Sequence, residues 1–136
     1  MNNELFDTWI NFSKFHDRLL KAMDYQLQNH FQLGIKEFYL LYYLAHSEHQ
    51  KMSLASLVPK VGLSHSALSR LVTRLEQHRS GSLVERQIDT NDKRSVEIVI
   101  EEKGKELYHE MQLLINESLH SQMSDKDIQN INRLFE

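Results

Sequence analysis

Cysteine is absent from this 136-residue chain. That excludes disulfides, thiol catalysis, thiol redox sensing and cysteine-based zinc sites. Proline occurs once and glycine four times, so few positions interrupt a helix, and long helices are the default expectation. No run of about 18 apolar residues exists, so no membrane span is expected. The opening MNNELFDTWINF lacks the basic start and apolar stretch of a signal peptide, and a cytoplasmic location is the expectation. Neither charge sign dominates: 16 Lys and Arg face 19 Asp and Glu, for a net of -3. Taken alone, that argues against a uniformly basic nucleic-acid binder. Gly-rich phosphate loops, Gly-x-Ser-x-Gly elbows and His-Glu-x-x-His pairs are also missing, so an enzyme is not expected. What is present is 40% hydrophobic residues, enough for the core of one domain spanning residues 1–136.

Apolar residues at steps of three or four predict a helix over residues 3–30, with Leu5, Trp9, Phe12, His16, Leu19, Met23 and Leu27 on one face. This face is larger than one small core needs, and part of it is expected to pack on a second subunit. A helix over Lys36–Ala45 turns Phe38, Leu41, Tyr42 and Leu44 inward, and residues 46–51 read as a polar loop. Ser53 and Ser64 are placed as N-caps. Between them lies a short helix, Leu54–Val61, containing Pro59 and closed by Gly62. Ser64 opens a helix over His65–His78 with Leu68, Leu71, Val72 and Leu75 inward. Leu83–Ile88 and Val96–Ile100 read as the two strands of a hairpin around the polar turn 89–94. Helices over residues 102–121 and Asp125–Phe135 follow, the second capped by Ser124.

Two short helices joined by a Gly-containing turn and followed by a hairpin make a winged helix–turn–helix. The fold expected is mainly α with a small β-hairpin wing, flanked by N- and C-terminal dimerisation helices at 3–30 and 102–136. The winged part covers about residues 36–100. A recognition helix reads base edges in the major groove near its N-terminal end. Here that end presents Ser64, His65, Ser66, Ser69, Arg70 and Arg74, all able to donate hydrogen bonds to phosphates or bases. The plainer reading of such residues is a solvated helix face. Charge distribution favours the first reading. Residues 60–94 hold seven cations and four anions, a net of +3, so the remainder carries -6 against the total of -3.

The run LSHSALSRLVTRLE, residues 63–76, resembles the recognition segment of the multiple-antibiotic-resistance regulator (MarR) family. The run LVERQIDTNDKRSVEIVIEEKGKEL, residues 83–107, is similar to that family's wing, with Asp92-Lys93-Arg94 at its tip and Glu102-Lys103-Gly104 opening the next helix. The likeness extends over essentially the whole chain, since the flanking helices match in number and order. It implies a homodimeric transcription regulator, expected to be a repressor, on a pseudo-palindromic operator in double-stranded DNA, and often released by a small ligand. By position, Ser64, His65, Ser66, Ser69, Arg70 and Arg74 would contact DNA, Lys93 would accompany Arg94 at the wing, Arg94 would enter the minor groove, and Asp92 would brace it by an ion pair. Departures are about three additional residues between Glu76 and Leu83, Glu101 where the family often has a capping Thr, and Pro59 in the first helix of the motif.

No cofactor or metal is expected. His46 and His49 have no evident third ligand, and His109 has Leu113, not a second histidine, four positions on. His16, Tyr39, Tyr43 and Met111 are candidates to line a cavity for a small aromatic or other apolar ligand between the dimerisation helices and the motif. The competing reading of the whole chain is a winged-helix module that docks protein and has no operator.

Overall fold

The computed structural model describes residues 4–88 and 95–136. The wing-tip residues Asp92, Lys93 and Arg94 therefore lie outside the described residues. Among the described residues there are six helices and three strands. In chain order these are α1 (Glu4–Phe31), α2 (Ile35–Ala45), β1 (Lys51–Ser53), α3 (Leu54–Val61), α4 (His65–Glu76), β2 (Val84–Ile88), β3 (Val96–Ile100), α5 (Glu102–Gln122) and α6 (Asp125–Arg133). This is the mainly helical winged fold the sequence implies, with one strand more. None of these helices is long and apolar enough to cross a membrane. The residues divide into two compact units, one of 1–35 with 112–136 and one of 36–111. The helix α5 contributes to each.

The 36–111 unit carries the helix–turn–helix. Its buried side chains include Leu41, Leu44, Leu57, Leu68, Leu71, Leu75, Leu83, Val84 and Ile98. Both sequence-read caps form: Ser53 Oγ accepts from Ser56 N, and Ser64 Oγ accepts from Ala67 N at 3.2 Å. Gly62 ends α3 with φ +80°, a left-handed conformation that costs glycine little. Pro59 stands inside α3, which is only eight residues long.

The sheet has the order β1-β3-β2, entirely antiparallel. The strand β1 corrects the reading of residues 46–51 as loop throughout. Lys51, Met52 and Ser53 pair with Val99, Ile98 and Glu97. Three residues cannot display an alternating pattern long enough to be read. Helix α4 ends at Glu76, two residues before the expected His78. The additional residues then turn through Gly81, at φ +117°, and Leu83 N returns to Leu75 O at 3.0 Å. A second correction concerns Tyr42, expected in the core but 41% exposed. The buried face of α2 is Phe38, Leu40, Leu41 and Leu44. At about 100° per residue Tyr42 lies off the side centred on these positions.

In the other unit α1 is one unbroken helix. Leu5, Phe6, Trp9, Phe12 and Tyr25 are exposed large apolar residues on it, and Trp9 stacks on Phe12 at 6.0 Å. The helix α6 opens with a reciprocal capping box between Ser124 and Asp127. It ends at Arg133, two residues before the expected Phe135, and Leu134 and Phe135 beyond it are exposed.

Candidate nucleic-acid interface

The exposed side of α4 is built by its amphipathic spacing. Leu68, Leu71, Val72 and Leu75 are sunk in the core, which leaves Ser64, His65, Ser66, Arg70 and Arg74 exposed. Contacts with α3 and β2 fix the helix on two sides. The hydroxyl of Ser64 is engaged in capping and lies 3.4 Å from that of Ser66. His65 stands at the first turn beside a small cavity of about 100 Å³ shared with Ser53, Leu54, Ala55, Ser95 and Val96. This end of α4 is exposed and capped, and its backbone N–H groups carry the positive end of the helix dipole.

Farther along α4 the predicted contacts are engaged within the protein. Arg74 Nη2 lies 3.4 Å from Oε1 of Glu37, a carboxylate buried on α2, while the Arg74 side chain remains 60% exposed. Ser69 is half-buried, and its hydroxyl accepts from Arg86 Nη2 at 3.1 Å. The same nitrogen donates to Ser69 O at 2.6 Å and to Thr73 Oγ1 at 3.2 Å, and Arg86 Nη1 pairs with Glu76 Oε1. Sequence reasoning counted Arg86 only as one charge in the basic segment. A signal was available: Val84, Arg86 and Ile88 alternate on one face of β2, paired with Ile100, Ile98 and Val96. An arginine at the middle position of an apolar alternation needs a polar partner on the element that the face covers.

The ligand candidates have different local settings. His16 is exposed on α1, 3.6 Å from Asp17. Tyr39 is half-buried with Lys36 Nζ over its ring, and burial pushes its hydroxyl above the usual tyrosine range. Tyr43 lines an open cleft of about 590 Å³ with Tyr42, His46, Lys51, Lys60 and Glu97. Met111 is fully buried. Among the described residues no three His, Asp or Glu side chains converge as a metal site would require.

A short helix pair, an exposed second helix and an antiparallel wing make a winged helix–turn–helix. Solved structures share this fold. A MarR-family regulator from Streptomyces coelicolor, Sco3205 in complex with DNA, superposes with a TM-score of 0.83 at 20% identity, covering 99% of this chain and 86% of that one. A MarR-family regulator from Rhodococcus sp. RHA1 gives 0.83 at 19% identity over 98% and 91%. The regulator BldR from Sulfolobus solfataricus gives 0.79 at 20% identity over 99% and 98%. No curated protein matches the chain in sequence. The family described as transcriptional regulator SarA/Rot matches residues 23–111. The chain belongs to the SarA/Rot family of transcriptional regulators.

Proposed function

We propose that the protein is a dimeric, sequence-specific DNA-binding repressor acting in the cytoplasm on a pseudo-palindromic operator. The observation that carries this reading is the N-terminal half of α4. Ser64, His65, Ser66 and Arg70 are exposed together on a helix whose other side is locked into the core. These side chains supply hydroxyl, imidazole and guanidinium groups suited to base edges and phosphates. Ser69 and Arg74 stand one and two turns deeper and would contact DNA from the groove wall. At the wing, Lys93 and Arg94 would meet phosphates and the minor groove, with Asp92 bracing Arg94. In a two-fold dimer two such helices would enter successive major grooves roughly 34 Å apart.

Exposed Leu5, Phe6, Trp9 and Phe12 on α1 support the dimer, because an apolar stripe of this size on a soluble helix calls for a partner. Release by a small aromatic or apolar ligand is part of the proposal, with Tyr39 and Tyr43 as its candidates in the 36–111 unit. Such a ligand acts only through a difference in its affinity for the bound and released conformations.

The test separates residues that position from residues that read. Arg94→Ala and Arg70→Ala should each weaken binding and reduce the slope of log affinity against log salt by about one. His65→Ala or Ser66→Ala should change which sequence is preferred. Variants that bind every duplex as the parent does would remove α4 from the interface.

A further inference from the structure

Arg86 is the charged residue of the β2 face that covers α4. Its side chain is 28% exposed and that of its partner Glu76 is 29% exposed. Both terminal nitrogens are committed, one to Glu76 Oε1 and the other to Ser69 O, Ser69 Oγ and Thr73 Oγ1. These acceptors run along two turns of one side of α4, from Ser69 to Glu76. Thr73 Oγ1 also donates to Ser69 O at 3.2 Å, so the acceptors are linked to each other. A planar guanidinium reaching several fixed acceptors fixes orientation as well as distance, which a flexible ammonium does not. The strand that holds Arg86 ends at Ile88, just before residues 89–94 in the chain.

We propose that Arg86 is a positioning residue that clamps the recognition helix to the base of the wing, and that it sets sequence discrimination without touching DNA. Glu76 is its obligatory partner, and Ser69 and Thr73 are its anchors. The consequence for the reading head is a division of labour. Ser64, His65, Ser66 and Arg70 face the groove, while the far half of the helix is held in register by the wing. The inference rests on the DNA-binding reading only for its functional consequence; the clamp itself is a property of the protein alone.

The charge on Glu76 gives a test that separates positioning from contact. A carboxylate near the DNA surface repels phosphate, so Glu76→Gln should tighten binding if electrostatics alone governed this region. The clamp predicts the opposite. On the duplex that the wild-type protein selects, Arg86→Gln and Glu76→Gln should each lose about tenfold or more in affinity, the range expected when a charge-assisted partner is removed. Both should narrow the gap between the selected site and a mismatched one. Their salt slopes should equal that of the parent, because no phosphate contact is lost. The double variant should lose no more than the worse single variant, since both changes break one interaction. Arg86→Lys should recover only part of the loss.

A salt slope lower by about one in Arg86→Gln, with tighter binding by Glu76→Gln, would show Arg86 on a phosphate and overturn the proposal. Amide exchange supplies the readout that needs no DNA. Amides of α4 from Arg70 to Glu76 should exchange faster in Arg86→Gln than in the parent, and unchanged exchange overturns the clamp. If Arg86→Gln does not fold, Thr73→Val removes one acceptor and should show the same pattern in smaller measure; parental behaviour overturns it. If the wild-type protein selects no duplex, the regulator reading falls, and exchange still decides the clamp.

Discussion

At Gly104 a single hydrogen is required in place of a side chain. A Cβ there would stand 2.1 Å from the carbonyl oxygen of Leu83 and 2.9 Å from Ile100 Cγ1. That carbonyl already accepts from Glu101 N at 2.9 Å, which ties the start of α5 to the start of the wing. Gly104→Ala should therefore destabilise the protein by about 1–3 kcal/mol, despite the better helix propensity of alanine, and thermal melting measures it. Tyr108 makes a contrasting case. Its ring stacks on Phe38 at 5.5 Å, and its hydroxyl is buried without a hydrogen-bond partner among the described residues. Burial, followed by the nearby Tyr42, holds its pKa above the ordinary tyrosine value. A raised folded-state pKa means that the folded protein holds this proton more tightly than the unfolded chain. The associated stability is complete below the unfolded tyrosine value of about 10 and is lost as pH rises through the folded one. Tyr108→Phe should be neutral or stabilising by up to about 1 kcal/mol near neutral pH and should lessen the alkaline loss. Melting curves from pH 7 to 11 check both parts.

At the scale of elements, helix α4 depends on its cap. Ser64→Ala removes the acceptor for Ala67 N and should cost about 1 kcal/mol of stability. Calorimetry measures that cost, and DNA titration should show weaker binding as the first turn frays. The caps at Ser53, Ser64 and Ser124 and the glycine stop at Gly62 were legible because each is a local rule with a local partner. The inward row of α4 was legible because four apolar residues repeat at helical spacing. Three features were not. The strand β1 is three residues long and exists only through pairing with β3, a partner more than forty positions away. Tyr42 is apolar enough to be read as core, yet it faces a cleft because the neighbouring leucines define the buried side. Arg86 carries no motif of its own. Its role appears only when β2 and α4 are seen face to face, although the alternation Val84, Arg86, Ile88 held the hint.

For the whole molecule, the net charge of -3 is an average over a basic middle and acidic remainder. Such a protein should bind DNA only through its reading head, with affinity that falls steeply as salt rises. The exposed stripe on α1 sets the expected assembly. Replacing Trp9 and Phe12 together by Glu should shift the proposed dimer toward monomer in light scattering, and should lower operator affinity while leaving the α4 surface untouched. The absence of cysteine removes thiol oxidation as a switch. Ligand binding and no direct sensing at all are the alternatives that follow. The most direct measurement of the central claim is selection of bound sequences from random duplexes by the wild-type protein. The account predicts enrichment of an inverted repeat with half-sites about 10 base pairs apart, centre to centre. Recovery of no enriched sequence at low salt would contradict it.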